Sequence, residues 1–162
     1  MSNIFDKTFE IITSQKLKVV DKDIKRPWGG FFVISEDNAQ DFSNIYFNGL
    51  NTEELKVSGK LSPKILIIAP NKRLSWQYHH RRSEIWKVVN GEIKVVTSHD
   101  DVERKEETLK EGDEIRLSKG ERHRIIGMDD YAVVAEIWIH TDKDNPSDEN
   151  DIVRVQDDFD RN

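Results

Sequence analysis

The amino-acid sequence predicts an all-β chain, a sandwich or barrel of short antiparallel strands behind one short α-helix. Three observations carry this. From Lys64 onward the apolar residues fall in short runs, at 64–69, 85–89, 92–97, 114–117, 123–126 and 131–139. Gly91, Gly112, Gly120 and Gly127 lie between or beside these runs. Asn90-Gly91 is the dipeptide that tight hairpins favour, because both residues tolerate positive φ. No stretch after residue 64 is long and periodic enough for a helix, so many short strands at near-regular spacing must close on one another.

The elements follow in order. Ile4, Phe5, Phe9 and Ile12 recur at helical spacing, with Ser2 or Asn3 placed to cap the helix. Residues 16–25 are charged and are expected to be irregular. Arg26-Pro27-Trp28-Gly29-Gly30 is a turn-like entry, since Pro fixes one dihedral and the Gly pair permits unusual ones. Phe31 to Ile34 is a predicted strand, residues 35–44 a polar loop, Ile45-Tyr46-Phe47 a short strand, and 49–62 a connection. The Asp-rich tail from Thr141 is expected to wrap the surface, anchored by Ile152, Val153 and Val155. A helix and connection at 1–25 and a β-domain at 26–162 make one domain, without a linker.

Composition bounds the function. A chain of 162 residues supports one real core. With 36% hydrophobic and 35% charged residues it is not of disordered type. A net charge of −6 argues against a nucleic-acid surface. There is no cysteine, so any metal must be held by N and O ligands. The longest purely apolar run, 65–69, is far too short to span a bilayer. The N-terminus is polar and shows no secretory signal, so the expectation is a cytoplasmic protein.

The chemistry concentrates between Arg73 and Gly91. Gln77 and His79 are two apart, and on a strand they share a face. Glu84 opens the next run, where a hairpin can return it to them. A second cluster, Ser118 to Arg124, offers His123. Imidazole, carboxylate and amide oxygen together suit a divalent metal ion, with Zn²⁺, Mn²⁺ and Fe²⁺ the candidates.

These residues resemble the cupin superfamily. Gln77-x-His79, Glu84 and Gly91 are similar to its first motif, with Gln in place of the usual first His. Gly112, Ser118-Lys119-Gly120 and His123 are similar to its second. One branch is nearer still. Arg26-Pro27-Trp28-Gly29, Leu74-Ser75-x-Gln77-x-His79-x-x-Arg82-x-Glu84-x-Trp86, His123-Arg124 and Asp151-Ile152-Val153-Arg154 resemble the mannose-6-phosphate isomerase type II domain over roughly residues 26 to 161. Stand-alone sugar-phosphate isomerase-like cupins, some labelled phosphoheptose isomerase, are also similar. Departures from the pattern include Asn71, Trp76, Trp138 and Asn150, and the two Trp changes bear on pocket shape.

The resemblance implies a double-stranded β-helix (jelly-roll) barrel, a homodimer, and a metal held by Gln77, His79, Glu84 and His123, with Zn²⁺ first. It implies an isomerase interconverting aldose and ketose phosphates, on mannose 6-phosphate or a related hexose or heptose phosphate. That reaction needs a base, and Glu136 is the candidate, sharing strand parity with Val134 and Trp138. The opposing expectation is a Glu136 bonded to Arg124 or Arg154. Phosphate needs fixed cations, for which Arg154, Arg82 and Arg26 are the candidates. Arg81, Arg122, Arg124 and His80 should point to the opposite face, His99 and His140 have no assigned role, and Trp28 and Trp86 are expected to be core residues or pocket walls rather than chemistry. The alternatives are a non-catalytic cupin that binds a sugar or sugar nucleotide and, less favoured for two His with Gln and Glu, an oxygen-activating cupin.

Overall fold

The computed structural model describes residues 3–161. Eleven strands form two antiparallel sheets. The strands are β1 (Val19–Arg26), β2 (Gly29–Ile34), β3 (Lys64–Ile68), β4 (Trp76–Tyr78), β5 (Arg82–Asn90), β6 (Glu92–Ser98), β7 (Lys105–Lys110), β8 (Glu114–Leu117), β9 (Arg122–Gly127), β10 (Ala132–His140) and β11 (Val153–Gln156). One sheet has the order β1-β2-β3-β10-β5-β8, the other β11-β4-β9-β6-β7.

Alternation along the strands builds two cores. Phe31, Leu66, Ile68, Trp86, Val88, Ala132 and Val134 pack between the sheets against Ile93, Val95 and Ile125. Their neighbours Phe32, Ile34, Ile65, Ile67, Ile85, Val133, Ala135 and Ile137 face outward, where helices cover them. The central strands β3 and β10 are thus buried on both faces, which is why they read as continuous apolar runs. The cover comes from α1 (Ile4–Ser14), α2 (Ala39–Tyr46) and the single turn α3 (Thr52–Leu55). Asn3 caps α1, its side chain accepting from the Asp6 N–H at 2.9 Å; Ser2 lies outside the described residues.

Several expected elements are corrected. Residues 16–25 are not irregular: β1 occupies most of them. It is an edge strand with mostly exposed side chains, so backbone pairing with β2 holds it and no apolar alternation marks it. The expected loop at 35–44 and strand at 45–47 are instead a 3₁₀ turn and α2. Ala39, Phe42, Ser43 and Tyr46 are its buried face, a helical pattern too short and polar to stand out. α3 lies in the expected connection. β7 was hidden by its charges, burying only Leu109. The tail does not simply wrap the surface, because β11 pairs with β4. Val155 is no anchor but is exposed.

The Gly29 turn is tighter than sequence suggested. Gly29 has φ +140°, and a Cβ there would lie 1.9 Å from the Ile67 carbonyl oxygen. Gly29→Ala is therefore expected to lose at least about 2 kcal/mol of stability in urea unfolding, from backbone strain alone. Gly91, at φ +80°, makes the predicted β5–β6 turn. Among the described residues no helix is long and apolar enough to cross a membrane.

A candidate metal centre in the barrel cavity

Register places the functional side chains. In the six-stranded sheet Leu117, Glu84 and Trp138 are cross-strand neighbours, and so are Ile115, Trp86, Glu136 and Lys64. In the other sheet Arg154, Gln77, His123 and Thr97 form a row. Residues in such a row share a face. Gln77, Glu84, Trp86, Glu136, Trp138 and Lys64 all line one cavity of about 330 Å³.

His79, Glu84 and His123 are buried together, and Glu84 lines this cavity. The His79 Nδ1 is 2.7 Å from the Asp151 carbonyl oxygen, and the His123 Nδ1 is 3.0 Å from that of Glu121. A carbonyl only accepts, so both Nδ1 atoms carry the hydrogen. Burial makes both rings hard to protonate, holding His79 down to about 3 and His123 below its ordinary value. Neutral rings with Nδ1–H leave a lone pair on each Nε2; the two atoms are 3.2 Å apart, and that of His79 also accepts from Arg82 Nη2 at 3.2 Å. Glu84 Oε1 lies 3.4 Å from the His123 Nε2 and is buried without a hydrogen-bond partner. Imidazole and carboxylate lone pairs converging in a buried site suit a cation. These residues fit a divalent metal.

Gln77 stands opposite His123 in the ladder and lines the same cavity, its Oε1 accepting from the Ser75 hydroxyl at 2.7 Å. Arg82 buttresses the cluster. Its Nε donates to Glu84 Oε2 at 2.8 Å, its Nη1 to Ser147 Oγ and the Asp148 carbonyl, and its Nη2 lies 3.2 Å from the His79 Nε2. Burial alone would raise the Glu84 carboxyl, but Arg82, His79 and His123 outweigh it and hold it below the usual carboxylate range.

The tail braces this centre. Buried Asp151 accepts from the His80 N–H at 2.9 Å, the Arg81 N–H at 3.0 Å and the Ser147 hydroxyl at 2.6 Å. Burial opposes its charge, yet these donors with Arg81 bring its carboxyl down to about 2. A depressed folded pKa stabilises the protein above the ordinary value of 3.8, and the benefit fades as pH falls towards 2. Asp151→Ala should cost about 2 kcal/mol at pH 7 and much less once pH falls to ~2 or lower, read from unfolding midpoints across pH.

Glu136 pairs with neither Arg124 nor Arg154. The indole N–H groups of Trp86 and Trp138 donate to its two oxygens, each at 2.8 Å. Trp86 is thus more than packing. Burial and the Glu84 charge raise the Glu136 pKa to about 7, against Lys64, Arg82 and the Trp138 hydrogen bond. Arg26, Arg154 and Arg161 line the same cavity. The Nε atoms of Arg26 and Arg154 are buried without a hydrogen-bond partner, although Arg26 Nε lies 3.0 Å from Asp23 Oδ2, off line for a bond.

The other basic residues turn elsewhere. Arg124 is buried, with its Nε donating to the Leu74 carbonyl at 2.8 Å and its Nη2 bonded to Gln156. It ties β9 to β11. His140 accepts the Ser147 N–H at Nδ1 and so carries its hydrogen on Nε2, 3.0 Å from the Ser62 hydroxyl. This Ser–His pair therefore has no base. Sequence reasoning missed Lys64, Glu149 and the cavity position of Arg161. The signal for Lys64 was its parity with the inward-facing Leu66 and Ile68.

Residues 44–157 match the family described as mannose-6-phosphate isomerase C-terminal. The chain belongs to this family. Among curated proteins no match to the chain was found. CapF from Staphylococcus aureus, a capsular polysaccharide assembling protein, superposes with a TM-score of 0.58 at 14% identity over 86% of this chain and 34% of that one. KdgF from Halomonas sp. gives 0.52 at 13% identity, over 76% and 90%. CapF with the inhibitor 3-isopropenyl-tropolone gives 0.59 at 15% identity, over 86% and 34%. This member of the mannose-6-phosphate isomerase C-terminal family spans about a third of the CapF chain, and the likeness is one of fold: the cupin double-stranded β-helix.

Proposed function

We propose that this cupin is a metal-dependent isomerase interconverting aldose and ketose phosphates, acting on mannose 6-phosphate or a related hexose or heptose phosphate. One observation carries the reading: a single cavity is lined by Glu84 of the His79–Glu84–His123 cluster, by Gln77, by a buried carboxylate, Glu136, and by a group of arginines. His79, Glu84, His123 and Gln77 are the ligands, and Zn²⁺ suits them first, with Mn²⁺ and Fe²⁺ as the alternatives. When bound, the ion supplies Lewis acidity to the carbonyl and hydroxyl oxygens of the sugar.

The chain's own groups do the rest. Glu136 has a lone pair left on each oxygen after accepting from the two indoles. It takes the proton from C2 of the aldose and returns it at C1, passing through an enediol. Its raised pKa makes it a stronger base than an exposed carboxylate while leaving it ionised above pH 7. Trp86 and Trp138 fix its orientation. Arg26 and Arg154 bind the phosphate; Arg161 is paired with Asp157 through its Nε and Nη2, and Arg82 already has its donors engaged and fixes Glu84 for the metal.

Arg154→Ala removes a charged donor with an unpartnered Nε. It is expected to raise KM about 10- to 100-fold with a smaller change in kcat, the worth of one charged hydrogen bond. Steady-state kinetics with mannose 6-phosphate and with a heptose 7-phosphate test this. An unchanged KM for both would remove Arg154 from the phosphate site.

A further inference from the structure

Lys64 is unexplained by the roles above. Among the described residues it is the one buried lysine, 5% exposed. It shares the inward parity of Leu66 and Ile68 and stands directly across the ladder from Glu136. Its ammonium lies 4.2 Å from the Trp138 ring centre and 4.7 Å from that of Phe31. Its ion-pair partner is Glu149, from the segment between β10 and β11, whose side chain is 53% exposed. A buried ammonium is costly. Here a half-exposed carboxylate reaches into the cavity to offset that cost, although both the carboxylate and the ammonium line the space a ligand would fill.

We propose that Lys64 contacts the ligand's reacting oxygen, and that Glu149 takes that oxygen's place in the free protein. This deepens the isomerase reading and rests on it for the chemistry. In the aldose-to-ketose direction, Glu136 removes the C2 proton and the C–H electron pair becomes the C1=C2 double bond. The carbonyl π pair moves onto O1, which takes a proton from the Lys64 ammonium. The neutral amine then removes the O2 proton, and that O–H pair forms the C2 carbonyl. The C1=C2 pair finally takes the proton back from Glu136 at C1. Carbon's proton travels by Glu136, oxygen's by Lys64, and both groups end as they began. Burial supports this role by drawing Lys64 down to about 8, so both of its forms are accessible near neutral pH. Glu136 and Glu84 oppose that shift, while Arg82 and Arg26 reinforce it.

The test uses pyridoxal 5′-phosphate, an aldehyde carrying a phosphate, with borohydride reduction and peptide mass spectrometry on the metal-loaded protein. The expected result is labelling at Lys64, made several-fold faster by Glu149→Gln and slowed by mannose 6-phosphate. Lys64→Met should also lower turnover about 100-fold, the size of a lost general acid–base step. Glu149→Gln should not reproduce that loss. No label at Lys64 in either protein overturns the proposal. So does a Glu149→Gln variant as inactive as Lys64→Met, since Lys64 would then only tether the segment. If the wild-type protein turns over no sugar phosphate, the isomerase reading fails. Labelling at Lys64 that Glu149→Gln accelerates would still support the ligand contact, and its absence would still overturn it.

Discussion

His123→Ala is expected to yield a folded protein that does not hold a metal ion tightly. The ring contributes one of two Nε2 lone pairs that meet at 3.2 Å, and alanine offers no ligand atom in its place. Even partners one layer out from a metal are worth about 10- to 100-fold in affinity, so losing a ligand should cost at least about 100-fold. The fold should survive because Glu84 keeps its bond to Arg82. His79→Ala should behave alike. Metal content after dialysis, with a chelator competition for affinity, gives the answer. Full metal occupancy in both variants would place the ion elsewhere.

Glu136→Gln is expected to keep the metal and lose the chemistry. C2 proton exchange should fall between about 10²- and 10⁴-fold, the worth of a positioned base. The amide cannot mimic the carboxylate, since its NH₂ would face an indole N–H that now finds an acceptor. The pH profile gives a second readout. Glu136 acts when deprotonated, so wild-type activity should rise with pH through its pKa, which is about 7 with no cation bound. That value reflects burial first, then the Glu84 charge, opposed by Lys64, Arg82 and Trp138. A bound cation adds positive charge, favours the carboxylate, and moves the rise to lower pH. In Glu136→Gln this limb should vanish. A profile unchanged in shape would assign the base to another group.

The strands β3, β5, β6, β8, β9 and β10 were readable because each buries at least one face, and burial writes apolar residues into the sequence. β1 and β7 were not, because their side chains are mostly exposed and backbone pairing with one neighbour holds them. The cluster of His79, Glu84 and His123 could be anticipated from motif spacing, since its members lie within two short stretches. The company of Glu136 could not. Its two indole donors come from one residue on its own strand and one on β5, and only the register 136↔86 brings the latter near. The Lys64–Glu149 pair joins residues 85 positions apart, and no local pattern announces it. Asp151 looked like part of a surface tail, yet it braces the turn that carries His79.

The most direct test is proton exchange. The protein, loaded in turn with Zn²⁺ and Mn²⁺ and freed of metal as a control, is incubated in D₂O with mannose 6-phosphate, fructose 6-phosphate and sedoheptulose 7-phosphate, and followed by NMR. Metal-dependent deuterium incorporation next to the carbonyl of one of these sugars, absent in Glu136→Gln, is the predicted result. No exchange by protein carrying stoichiometric metal, with sugar phosphate shown to bind, would contradict it and leave a sugar-binding cupin without isomerase chemistry.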